Sequence, residues 1–211
     1  LCGAKDYRQT MNSYEFIEAL SDWLTPDDVI VTDTGFAFQA THQALRIKAG
    51  QRLMSNGGLA AMGWGLPAAI GACYATGRRT VLICGDGGLM MNVQELATIG
   101  ALPIVIFMYS DGGYATIRET QDNAGYARFG EPRFPRWEHI AMAHRLAYAH
   151  IYTVGGLAWA AQFNEVVVDR DQRHRKAVNK RAGDRIVQTA LEDSYPFLDE
   201  AEIAANLRGP Q

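Results

Sequence analysis

The chain is poor in several things, and each scarcity removes a class of protein. It holds three cysteines in 211 residues. Cys2, Cys73 and Cys84 are odd in number and far apart, and two of them stand inside apolar segments. They read as reduced, buried thiols, which excludes a disulfide framework and a cysteine-based zinc site. Neither charge prevails: 20 Lys and Arg against 23 Asp and Glu leave a formal net charge of -3, without the basic excess that wholesale nucleic-acid binding or a polybasic membrane surface needs. No apolar run approaches the roughly 18 residues of a membrane span, and no charged-then-apolar leader opens the chain. Internal repeats and low-complexity linkers are also missing. The cytoplasm is the expected compartment, and an anionic ligand must be held by local features.

What is present is enough apolar residue, 48%, for a sizeable core, and a length that suits one large domain or two small ones. The expected organisation is a single domain over 1–211, with 171–211 as a C-terminal extension packing on it. Because the chain starts at Leu1, it reads as processed, cropped or part of something longer. Five β-branched apolar runs, 29–33, 80–84, 103–109, 151–154 and 165–169, read as strands buried on both faces. Helical patterns alternate with them: 12–24 after a capping Asn12 or Ser13, 35–48, 65–77, 91–100 and 137–149. Strand alternating with helix predicts an α/β fold, a doubly wound parallel sheet with helices on both faces. The segment 171–185, rich in basic residues, reads as a solvated surface excursion, and a turn at Pro196 precedes a short amphipathic helix.

Two carboxylates stand where buried strands end. Asp86 follows the run 80–84 and lies between Gly85 and the pair Gly87 and Gly88; Asp111 follows the run 103–109 and precedes Gly112 and Gly113. Ligands of open parallel sheets bind at this carboxyl edge. Glycines there let the backbone turn sharply and approach a ligand, and a helix starting near Leu89 aims free amides the same way. That is a place for phosphate, yet aspartate repels phosphate unless a divalent cation bridges the two. Magnesium suits the role, since it takes oxygen ligands and joins one or two carboxylates to a phosphate. A nicotinamide fingerprint is rejected. Met90 stands at the sixth place of "GDGGLM", and the looser match "GWGLPA" at 63–68 has Pro67 in its turn and follows a stretch, "RLMSNGGLAAM", that does not read as a strand.

"GDGGLMMNVQEL" followed by "SDGGY" resembles the diphosphate-binding signature of thiamine diphosphate enzymes. The segments 55–72, 117–123 and 191–203 are similar to the C-terminal domain of acetolactate synthase large subunits and their relatives. The resemblance implies a thiamine diphosphate-binding fold, with thiamine diphosphate and Mg2+ as cofactors and a 2-keto acid as substrate for decarboxylation or carboligation. By position, Asp86, Asp111 and the Gly113 carbonyl would bind the metal. Gly85, Gly87, Gly88, Thr34 and Gly35 would meet the diphosphate, with Tyr114 beside the metal loop. Met62 would be an apolar wedge under the thiazolium, and Ala60 would offer the carbonyl that orients the exocyclic amine. On its residues alone Met62 reads as a core gap-filler, and Tyr114 and Gln121, which follow the metal loop, read equally as borders of the substrate or as packing.

The chain also departs from the family pattern. Only 23 residues separate the glycine triplet from Asp111, and Asp stands where Asn is commoner. "TGFAFQ" at 34–39 lacks the Gly-Gln-His-Gln of true acetolactate synthases. The family's glutamate that protonates the aminopyrimidine belongs to a separate pyrimidine-binding domain, which these residues do not include. The resemblance therefore implies half of an active site, completed by another chain or a missing part of this one, and a homo- or hetero-oligomer. A non-catalytic module that keeps the cradle is the alternative. His42 is the best-placed proton carrier, although a hydrogen-bonded structural histidine fits its mid-helix position better. His139, His144 and His150 read as surface or packing positions.

Overall fold

The computed structural model describes residues 10–128, 132–172, 179–182 and 185–188. Cys2 and the resembling segment 191–203 lie outside the described residues, as does the helix expected after Pro196. The chain divides into two compact units, 1–115 with 131–172 and 116–130 with 173–211.

The first unit is built on six parallel strands, β1 (Val29–Thr32), β2 (Arg52–Ser55), β3 (Thr80–Gly85), β4 (Ile104–Ser110), β5 (Tyr148–Ile151) and β6 (Phe163–Val167), in the spatial order β2-β1-β3-β4-β6-β5. Their side chains alternate between two cores. Val29, Val31, Leu82 and Cys84 face one, with Leu66, Ala69 and Cys73 of α3 (Gly65–Thr76), Leu96 and Ile99 of α5 (Leu96–Ile99) and Trp137 of α7 (Trp137–Ala143). Ile30, Val81, Ile83 and Phe107 face the other, with Phe16, Ile17 and Leu20 of α1 (Ser13–Trp23) and Ala37 and Ala40 of α2 (Phe36–Ala44). The period of two along each strand, with apolar residues in both phases, is what a sheet covered on both faces requires. Asn12 caps α1 through its side-chain oxygen, which accepts from the Tyr14 and Glu15 amides; Ser13 is the first helical residue.

Strand order reverses between β1 and β3, the switch point at which open α/β sheets bind ligands. Asp33 leaves β1 there and its amide donates to the Ile83 carbonyl of β3 at 3.0 Å. Asp86 and Asp111 leave β3 and β4 at the same edge, because Gly85 pairs in register with Tyr109.

Several boundaries differ from the sequence reading. The stretch beginning at Arg52 contains a strand after all: β2 is a short edge strand whose Arg52 and Met54 are exposed, so it lacks the apolar run that marks the buried strands. The nicotinamide reading still fails, since Asn56 to Met62 separate β2 from Gly63. Helix α2 stops at Ala44, short of 48. The helix expected over 137–149 ends at Ala143, where Arg145 adopts φ 57 and the Leu146 amide closes onto the Ala141 carbonyl at 2.9 Å. That frees Tyr148–Ile151 to form β5, and the strand expected at 151–154 gives way to a 3-10 turn over Val154–Trp159. β6 begins at Phe163, two residues ahead of its expected start. The helix near Leu89 begins earlier, as α4 (Asp86–Met91), and breaks at Asn92; a 3-10 turn, Val93–Glu95, intervenes before α5.

In the second unit the described residues include most of α6 (Ala115–Ala124) and an antiparallel pair, β7 (Asn179–Ala182) and β8 (Arg185–Gln188). The segment expected to be a bare surface excursion therefore contains paired strands.

Candidate functional site

The site grows from four segments that leave the carboxyl ends of β1, β2, β3 and β4. After β1, Asp33 is 4% exposed and its carboxylate accepts from the Thr34 amide at 2.8 Å and the Gly63 amide at 3.2 Å. Burial pushes its carboxyl up, against the backbone amides of Thr34, Gly63 and Gly65 that hold the charged form. Gly35 adopts φ 72 and ψ −145 as it enters α2, a conformation that suits glycine alone.

After β3, Asp86 is buried and the Gly87 amide donates to its Oδ1 at 2.7 Å. A Cβ on Gly88 would stand 2.5 Å from Asp33 Oδ2, so this glycine is required for the Asp33 carboxylate to sit against the turn. A Cβ on Gly87 would overlap the Tyr114 ring and lie 3.4 Å from the Met62 methyl. Gly87, Tyr114 and Met62 are thus brought together. Gly85 differs: its φ of −88 is ordinary and a Cβ there meets nothing within 4 Å. Neither sterics nor packing asks for glycine at that position, which leaves open space at the strand end.

After β4, Asp111 is buried and its Oδ1 accepts from the Gly113 amide at 3.0 Å, across a turn in which Gly112 and Gly113 have φ 76 and 132. Tyr114 then stacks edge-on against Phe134 at 6.3 Å. After β2, the loop 56–64 carries Ala60 and Met62. Ala60 holds a left-handed φ of 49, with its amide on the Asn56 carbonyl at 2.7 Å.

Electrostatically the edge is acidic. Burial pushes the Cys84 thiol on β3 well up, and the charges of Asp33 and Asp86 push it further. A divalent cation would relieve that field. Among the described residues no group of three His, Cys, Asp or Glu side chains could hold a metal ion; Asp86 and Asp111, at the ends of the neighbouring strands β3 and β4, are the carboxylates that could reach a hard cation, which takes backbone and ligand oxygens beside one or two carboxylates. The donors present fit such a group: hard oxygens only, glycine amides beside them, and room at Gly85.

The structure brings Met62, Gly87 and Tyr114 into contact and sets Thr34, Gly88 and Asp33 together. Ala60 lies two residues from Met62, on the exposed side of its loop. Gln121 belongs to the second unit. His42, in the last turn of α2, is hydrogen-bonded on both ring nitrogens: Nδ1 bonds the Phe38 carbonyl at 2.9 Å and Nε2 meets Ser55 Oγ at 3.3 Å. His150, read as surface or packing, bonds the buried Glu165 at 3.0 Å. Two residues of the site escape the sequence reading. Asp33 passes there for the last residue of a strand, and Asn92 for an interior helical residue; the signal for each is a polar residue directly at the end of an element.

Residues 33–174 match the family model described as "Thiamine pyrophosphate enzyme, C-terminal TPP binding domain". The chain is similar to the acetolactate synthase isozyme 1 large subunit of Escherichia coli (strain K12), 36% identical over 53% of this chain and 20% of that protein. It is also similar to the acetolactate synthase large subunits of Parasynechococcus marenigrum (strain WH8102), 31% identical over 76% of this chain and 24% of that protein, and Lactococcus lactis subsp. lactis (strain IL1403), 29% identical over 65% and 25%. These matches span only a fifth to a quarter of the relatives' length. With two thirds of its residues matched and a parallel sheet whose neighbouring strands β3 and β4 each end in a buried aspartate beside glycines, the chain belongs to the thiamine pyrophosphate enzyme family, as a C-terminal thiamine diphosphate-binding domain.

Proposed function

We propose that this chain is the diphosphate-binding half of a magnesium- and thiamine diphosphate-dependent active site that decarboxylates or ligates 2-keto acids in the manner of acetolactate synthase. The supporting observation is the convergence of Asp86, Asp111, the Gly85–Gly88 turn and Met62 at one strand-end face. Asp86 and Asp111 would hold the cation with the Gly113 carbonyl, and the Gly87, Gly88 and Gly35 amides with Thr34 would receive the diphosphate. When bound, the cofactor supplies a carbon nucleophile for a keto carbonyl and a sink for the electrons left by carbon dioxide. The protein's part is to anchor and orient. Met62 presents an apolar surface against Gly87, Ala60 offers a backbone carbonyl, and the Tyr114 ring stands beside Gly87.

A proton donor for the cofactor's pyrimidine has to come from a pyrimidine-binding domain in another chain or another part of this one, so the functional unit is an oligomer or a longer polypeptide. Cys73 and Cys84 are free and buried, which suits the reducing cytoplasm, and among the described residues no helix is long and apolar enough to cross a membrane.

Turnover tests the reading. With a separately supplied pyrimidine-binding domain, thiamine diphosphate and magnesium, the chain should release carbon dioxide from pyruvate. Tight cofactor binding with no turnover of pyruvate or any larger 2-keto acid would leave the non-catalytic module as the correct reading.

A further inference from the structure

The Met62 loop is held at a single residue, Gly63, from two sides. Gly63, the residue after Met62, donates its amide to Asp33 Oδ2 at 3.2 Å, and its carbonyl accepts from Asn92 Nδ2 at 2.7 Å. Asp33 stands at the end of β1 and Asn92 at the end of α4, so the two holds come from different elements. Gly63 has φ 87, and a Cβ there would stand 2.8 Å from Met91 Cβ and 3.1 Å from Asn92 Nδ2. Only glycine meets both requirements.

The orientation of the Asn92 amide is itself set. Gln94 Nε2 donates to Asn92 Oδ1 at 3.3 Å, which leaves Nδ2 facing the Gly63 carbonyl. Donation runs from Gln94 to Asn92, from Asn92 to Gly63 and from Gly63 to Asp33, whose other oxygen accepts from the Thr34 amide at 2.8 Å. These bonds join the end of α4, the Met62 loop and the turn after β1. On the other side of Gly63, Met62 reaches the point beside Gly87 at which a Cβ would also touch Tyr114.

We infer that Asn92 and Asp33 are positioning residues that clamp Gly63 through its amide and its carbonyl and thereby fix Met62 against Gly87. The placement of Met62 follows from this geometry alone; its consequence for cofactor binding rests on the function proposed above. The clamp depends on donor and acceptor identity. Asn92→Asp keeps the shape but turns a carboxylate oxygen toward the Gly63 carbonyl, whereas a residue that merely filled space would tolerate the isosteric change.

The test uses the whole chain with 13C-methyl methionine, the Met62 signal being assigned by its loss in Met62→Leu. In the cofactor-free wild type Met62 should give one sharp signal, displaced from the random-coil position by the neighbouring Tyr114 ring. In Asn92→Asp and Asn92→Ala, which both lose the donor, it should broaden or move toward the random-coil position, while far-ultraviolet circular dichroism stays that of the wild type. Titration of thiamine diphosphate with magnesium should then show affinity about five- to tenfold weaker in Asn92→Asp, in line with loss of a hydrogen bond. A Met62 signal unchanged in both Asn92→Asp and Asn92→Ala would overturn the clamp. If neither protein binds thiamine diphosphate while the Met62 signal still moves, the clamp stands and the cofactor reading fails.

Discussion

Asp33 shows how a site residue can be visible in the sequence yet carry no signal of its role. It closes a run that reads as a strand, and only the folded chain reveals that its carboxylate accepts from the Thr34 and Gly63 amides and rests against Gly88. Asp86, Asp111 and their glycines were legible because acidic residues and glycines seldom follow two successive buried strands by chance. The contrast between neighbouring glycines gives a prediction. Gly88→Ala forces a Cβ to 2.5 Å from Asp33 Oδ2 and should cost about 1–3 kcal/mol in urea unfolding, as overpacking does. Gly85→Ala meets nothing within 4 Å; its unfolding midpoint should match the wild type while its cofactor affinity falls. Equal stability for the two variants would show that the Asp33 carboxylate does not sit as described.

Among the elements, central strands were legible because both faces are apolar, as in β3 with Val81, Leu82 and Ile83 all fully buried. Edges were not. Arg52 and Met54 of β2 are exposed, and β5 was hidden inside a continuous helical pattern that ends only because Arg145 takes a left-handed conformation. Leu82→Ala, in the centre of β3, should lower stability by about 2–5 kcal/mol, read by chemical denaturation. Asp28, just before β1, makes a paired contact with Arg79, just before β3, at 2.6 and 2.7 Å. Burial alone would raise the Asp28 carboxyl, but the Arg79 bonds and the Thr25 amide more than offset it and hold it below 3.8. A carboxyl lowered in the folded state stabilises the fold fully above its unfolded value, and that contribution is lost as pH falls through the lower folded value. Asp33 runs the other way, since its carboxyl is raised on folding. Asp28→Asn should therefore reduce stability at neutral pH and flatten the acid-side fall, measured as urea midpoints across the acid range; an unchanged acid-side slope would contradict the assignment.

For the molecule as a whole, the parallel sheet and the family were legible because the strand-end motifs occur in order along most of the chain. The second unit was not, since the basic residues of 171–185 hide the strands β7 and β8. Everything proposed for the strand-end face depends on thiamine diphosphate being held there through a divalent cation on Asp86 and Asp111. Calorimetric titration of thiamine diphosphate into the chain, with magnesium and again with chelator, is the decisive experiment. Binding should occur with magnesium and be lost on chelation and in Asp86→Ala. Binding that persists through both, or none with magnesium present, would refute the cation site.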